Sequence, residues 1–134
     1  AVIRALRLRA ATDVTGFGLG GHLLEMALAS GVAVKLETQA LPLLPRAEEY
    51  ADNGLIPAGS HGNRRYWQEH VAASSGVSQT VETLVFDVQT SGGLVLAVPE
   101  PVVDEAVRLL HEQGDEAWII GHVTAGSKTA LVLA

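Results

Sequence analysis

Hydrophobic periodicity is clearest between Gly18 and Gly31. Leu19, Leu23, Met26 and Ala27 recur at i, i+4, i+7 and i+8, and Ser30-Gly31 supplies a stop, which predicts a helix of about three turns. Ala10 to Val14 stands before it where a strand would end. Val32 to Glu37 alternates apolar and polar toward its end and reads as a half-buried strand. Leu41-Pro42-Leu43-Leu44-Pro45 interrupts regular pairing, and Pro45 suits the first position of a short helix that closes at Asn53-Gly54. Pro57, Gly59 and Gly62 argue against any regular element between Ile56 and Asn63, leaving Asn63 as a cap for a helix through Tyr66, Trp67 and Val71. Ala72 to Thr80 is small and polar, a surface connection. Leu94 to Val98 is an apolar run of strand length. Glu100-Pro101 opens a helix whose apolar face is Val102, Val103, Ala106, Leu109 and Leu110, ending at Gln113-Gly114. Trp118 to Val123 and Thr129 to Leu133 read as strands around a turn at Ala125-Gly126. This mixed order, without internal repeats, predicts an α/β-type layered domain with a mixed sheet.

Composition narrows the classes. A chain of 134 residues with 48% hydrophobic and 18% charged residues reads as a single compact domain. No apolar run approaches the roughly 18 residues that a membrane span needs. Ala1 to Arg9 lacks the features of a signal peptide and reads as the tail of a helix belonging to something longer. The absence of cysteine excludes disulfides and thiolate chemistry within the chain. A net charge of −6 opposes non-specific binding to nucleic acid, and Arg64-Arg65 beside Tyr66 and Trp67 reads as a solvated helix start, not an RNA patch. His22 and Glu25 share a helix face at i, i+3, but no second pair of ligands completes a zinc site. Thr90-Ser91-Gly92-Gly93 lacks the leading glycine and following helix of a hydrolase elbow.

Chemistry concentrates at Thr12-Asp13-Val14-Thr15-Gly16-Phe17-Gly18-Leu19-Gly20-Gly21-His22, where four glycines fall within six positions at a helix entry. Bare backbone lets a ligand approach, and a helix N-terminus attracts anions. A carboxylate there repels phosphate unless a cation lies between, and Mg²⁺ takes one or two carboxylates together with phosphate oxygens, so Asp13 is a candidate metal ligand. The competing reading makes Asp13 or Thr15 a helix cap and the glycines a tight turn. At Gly92-Gly93 the choices are a turn or bulge, or an edge that lies against a ligand or partner.

Ala11-Thr12-Asp13-Val14-Thr15-Gly16-Phe17-Gly18 with Gly21-His22 and Glu25-Met26-Ala27 resembles the motif that opens the C-terminal domain of the selenophosphate synthetase (selenide, water dikinase) family. Gly54-Leu55-Ile56-Pro57-Ala58-Gly59 with Asn63, and Asp87-Val88-Gln89-Thr90-Ser91-Gly92-Gly93-Leu94, resemble two later motifs, so the likeness runs from about Ala10 to the end. Three positions depart: the family usually has Leu at Gly20, Gly at Ala58 and Pro at Val88. The resemblance implies a three-layer α/β (α+β) domain, its mixed β-sheet flanked by helices, as in the aminoimidazole ribonucleotide synthetase superfamily. It also implies a cytoplasmic, homodimeric enzyme making selenophosphate, AMP and phosphate from ATP, selenide and water with Mg²⁺. Asp13 matches the family's metal-binding aspartate, and Thr15, Gly16, Gly18, Asn63, Thr90, Ser91, Gly92 and Gly93 match positions near the nucleotide. No catalytic residue is expected within this chain. The family's reactive Cys or selenocysteine, its lysine and its further acidic ligands belong to a preceding N-terminal domain, which this chain is expected to lack and to need as its partner. The alternatives are another ATP-using enzyme of the superfamily, whose matching loop usually differs, and a stand-alone binding module.

Overall fold

In the computed structural model, which describes residues 1–134, two strands that flank the glycine-rich loops pair with each other. Strand β1, Ala10–Asp13, runs antiparallel to β4, Leu94–Ala97, with Ala10 opposite Ala97 and Asp13 opposite Leu94. Helix α2, Gly18–Ser30, follows β1 and ends where Gly31 turns left-handed at φ 64°. A four-residue helix α1, Val2–Ala5, precedes both.

The second sheet has four strands in the order β3-β6-β2-β5, comprising Val71–Ala73 (β3), Leu131–Leu133 (β6), Val32–Leu36 (β2) and Gly121–Ala125 (β5). β5 runs antiparallel to β2, whereas β6 lies parallel to both β2 and β3, so the sheet is mixed, as expected. The last two strands do not pair with each other as a hairpin. Leu23, Leu24 and Ala27 of α2 pack with Leu36, Val85, Phe86, Ala130, Leu131 and Leu133 in one core. Full burial of a Leu or Phe side chain contributes roughly 1.5–3 kcal/mol, so this helix-on-sheet contact is the main hydrophobic term at the site's base.

Four further helices complete the fold, the second and third of which pack against α2. Helix α3 spans Ala47–Asp52, two residues later than Pro45 suggests, because Arg46 at φ 66° takes the N-cap place. Helix α4 covers Ala58–Trp67, which corrects the expectation of an irregular loop there and puts Asn63 mid-helix instead of at a cap. Gly59 suits close packing, since a Cβ there would lie 3.0 Å from Val88 Cγ1, whereas Gly62 has open space at its Cβ position. Val71 belongs to β3, and Arg64 is not solvated but ion-paired with Glu82. Helix α5, Gln79–Val85, is capped by the Ser78 hydroxyl, which accepts from the Val81 N–H at 3.1 Å, a bond worth about 1 kcal/mol. Helix α6, Val103–Glu112, follows a single 3₁₀ turn at Glu100–Val102 and ends next to Gln113-Gly114, as the apolar face predicts. No helix is long and apolar enough to cross a membrane.

Candidate functional site

The β1–β4 ladder carries the two glycine-bearing loops out side by side. Past Asp13 the pairing continues through backbone alone: the Val14 N–H donates to the Gly93 carbonyl at 3.0 Å, and the Gly92 N–H donates to the Val14 carbonyl at 3.3 Å. The Thr15 carbonyl then accepts from the Gln89 N–H at 3.2 Å and from the Gly18 N–H at 3.0 Å. The segments 13–18 and 86–93 are thereby one hydrogen-bonded unit.

Helix α4 braces that unit from below. The Asn63 side-chain amide donates to the Gly16 carbonyl at 2.8 Å and to the Phe86 carbonyl at 3.1 Å, joining both segments. One turn earlier the buried Ser60 hydroxyl donates to the Asp87 carboxylate at 2.6 Å and accepts from the Val88 N–H at 3.2 Å. The bond from Asn63 to Phe86 and both Ser60 bonds are part-buried, and such bonds hold loop geometry because breaking one leaves a polar group unmatched.

Close packing accounts for several glycines. Gly18 sits at φ 72°, and a Cβ there would meet the Phe86 carbonyl carbon at 2.6 Å, while one at Gly20 would meet Phe86 Cε1 at 2.7 Å. The Phe86 ring thus fills the space next to Gly20, the position where the family usually carries Leu. A Cβ at Gly92 would lie 2.5 Å from Gln89 Oε1 and 2.7 Å from the Val14 carbonyl oxygen. Gly16 differs, since nothing lies within 4 Å of its Cβ position, and it is exposed beside exposed Phe17. Thr90, Ser91 and Gly93 are exposed on the neighbouring loop.

Asp13, the last residue of β1, presents an exposed carboxylate that takes part in no ion pair. The N-cap of α2 is Phe17 and no side chain caps that helix, so neither Asp13 nor Thr15 has the capping role. No group of three or more His, Cys, Asp or Glu side chains that could hold a metal occurs in the chain. A lone exposed carboxylate is a hard oxygen donor suited to an ion that completes its shell with water and phosphate, so the residues fit Mg²⁺ as one shared ligand and not as a closed cage.

A further polar chain is not visible from spacing alone. Thr15 Oγ1 lies 3.1 Å from His22 Nε2, and His22 Nδ1 lies 3.0 Å from Glu25 Oε2. The i, i+3 relation brings His22 to Glu25, but Thr15 joins them only because the loop folds back over the first turn of α2. His22 is buried, Glu25 exposed and Thr15 between the two.

Solved structures share this architecture. HypE, a hydrogenase maturation protein of E. coli, superposes with a TM-score of 0.60 at 24% identity over 99% of this chain and 35% of that chain. A HypE crystallised in complex with ATP gives a TM-score of 0.56 at 19% identity, covering 94% of this chain and 32% of that one. At such identities the likeness concerns the fold alone. The chain belongs to the family described as AIR synthase related protein, C-terminal domain, which matches residues 1–134. Within it, the chain is 57% identical over 122 residues to the selenide, water dikinase of Nitratidesulfovibrio vulgaris (strain DSM 19637 / Miyazaki F), covering 91% of this chain. The chain spans 35% of the length of that curated relative.

Proposed function

We propose that the chain is the C-terminal part of a selenide, water dikinase, and that its two joined loops close the Mg²⁺-phosphate side of the active site. The observation that carries this reading is the exposed Asp13 carboxylate, free of any capping role and fixed at the end of a paired strand, in a chain this similar to selenide, water dikinases. A ligand on a strand end is held more precisely than one on a free loop. Bound Mg²⁺ supplies positive charge against the phosphate oxygens of ATP. Asp13 would hold the ion with Thr15 beside it, and Gly16, Thr90, Ser91 and Gly93 would border the nucleotide. Gly18, Gly92 and Asn63 keep the two loops in register behind them. The complete enzyme converts ATP, selenide and water to selenophosphate, AMP and phosphate. The reactive Cys or selenocysteine, a lysine and further acids come from a preceding domain, and the complete enzyme is a homodimer. ATP use agrees with the ATP complex of the HypE that shares the fold.

The test is Asp13→Asn in the full-length protein. The change removes the charge and nearly keeps the size, and because Asp13 caps nothing, the fold should hold. We expect most turnover at ordinary Mg²⁺ to be lost, since charge stabilisation at the transferring phosphoryl group is worth several kcal/mol. Wild-type turnover with unchanged Mg²⁺ dependence would overturn the assignment.

A further inference from the structure

Thr15, His22 and Glu25 form a chain of two hydrogen bonds that begins two residues after Asp13. A carboxylate only accepts, so Glu25 places the proton of the neutral imidazole on Nδ1. In that neutral tautomer Nε2 is an acceptor, and the Thr15 hydroxyl donates its single proton to it. What remains free on Thr15 is its oxygen lone pairs. A threonine in this state cannot donate to a phosphate oxygen, which also only accepts. It can accept from a water polarised by a cation.

Position agrees with that chemistry. Asp13 is exposed, Val14 buried and Thr15 half-buried, so Asp13 and Thr15 flank a residue turned into the core, and the Thr15 hydroxyl reaches His22 in the first turn of α2. Val14 keeps its ladder bonds to Gly92 and Gly93, which holds this stretch extended. Alternate residues of an extended chain lie roughly 6.5–7 Å apart. A carboxylate, a Mg²⁺ ion with ligands at about 2.0–2.1 Å and one of its waters span a comparable distance.

We propose that His22 and Glu25 are positioning residues that set the Thr15 hydroxyl as an acceptor, so that Thr15 holds the water shell of the divalent cation and does not bind a phosphate oxygen. The proposal rests on the reading of Asp13 as the cation's ligand. Outer-shell groups of this kind commonly govern about 10–100-fold in metal affinity.

The experiment measures Mg²⁺ binding by calorimetry in the full-length protein saturated with a non-hydrolysable ATP analogue, and analogue binding at saturating Mg²⁺. Thr15→Val removes the oxygen at constant volume, and should weaken Mg²⁺ about tenfold while leaving analogue affinity unchanged. Thr15→Ser should bind as wild type. His22→Asn keeps a donor toward Glu25 but cannot reach Thr15, and should match Thr15→Val. His22→Gln keeps an acceptor near the Nε2 place and should stay within about threefold of wild type, well inside the range of a lost outer-shell partner. The ¹⁵N signals of His22 should report the Nδ1–H tautomer in wild type. Loss of analogue affinity with Mg²⁺ affinity intact in Thr15→Val would overturn the proposal by making Thr15 a phosphate donor. Unchanged binding in every variant, with only the thermal melts lowered, would reduce His22 to a core histidine. Asp13→Asn in the same assay separates the two readings: if it alone weakens Mg²⁺, the ligand assignment stands and the Thr15 proposal fails. If Asp13→Asn also binds normally, the ligand assignment fails with it.

Discussion

Glycines that look alike in the sequence do different work here. Gly18 is left-handed and pressed against the Phe86 backbone, whereas Gly16 has open space where a side chain would go. Gly18→Ala should therefore cost about 2–4 kcal/mol, the sum of a left-handed alanine and an overpacked contact, read as a lower urea midpoint. Gly16→Ala should leave stability within about 0.5 kcal/mol of wild type and reduce affinity for an ATP analogue in the full-length protein. Equal destabilisation by both changes would assign Gly16 a packing role. The sequence already showed the glycines, the carboxylate and the helix entry. It could not show which glycine met Phe86, because that residue lies far along the chain and approaches only through the tertiary fold.

At the scale of elements, legibility followed locality. Helix α2 and its stop at Gly31 were evident, since periodicity and a left-handed glycine are local signals. Helix α4 was hidden by Gly59 and Gly62, which read as breakers, but Gly59 lets the helix sit against Val88 and lend Ser60 and Asn63 to the loops. Strand β3 was hidden because Val71-Ala72-Ala73 carries little strand propensity and exists through its pairing with β6, some sixty residues later. At the start of α3, Arg46 donates to Glu49 at 2.8 and 2.7 Å. That bond lowers the Glu49 carboxyl below its ordinary range and raises Arg46 above its own. With the folded value depressed, the pair's contribution is present above the ordinary carboxylate range and is lost as pH falls through the folded value. Both side chains are exposed, so screening keeps the effect small. Melts of Glu49→Gln should lie slightly below wild type at neutral pH and low salt, and coincide with it in acid or high salt. A gap that persisted in acid would show that Glu49 acts through packing.

The whole molecule joins a well-filled core to surfaces that remain apolar. Phe86, Leu24, Leu36, Leu131 and Leu133 are each 0% exposed, whereas Leu94 is 69% and Val123 55% exposed. A small apolar cleft of about 120 Å³ lies between the two sheets, lined in part by Met26, Val32, Val95 and Val123. We expect the 134-residue chain to unfold in one cooperative transition while binding an apolar dye under native conditions. It should release no AMP from ATP and selenide, since it holds a single candidate cation ligand and no nucleophile of the proposed reaction. Selenium-dependent AMP formation by this chain alone would contradict the division of labour proposed above.

Asn63 has one further consequence, for motion. Its amide ties the Gly16 carbonyl to the Phe86 carbonyl, and the Gly18 and Gln89 N–H groups share the Thr15 carbonyl. Neither loop can open without the other, so both amide protons should trade with deuterium through one opening event of one free energy. Asn63→Ala should speed the exchange of Gly18 and Gln89 by the same factor and leave Val34 and Ala134, which donate to Ala130 and Leu36 in the far sheet, unchanged.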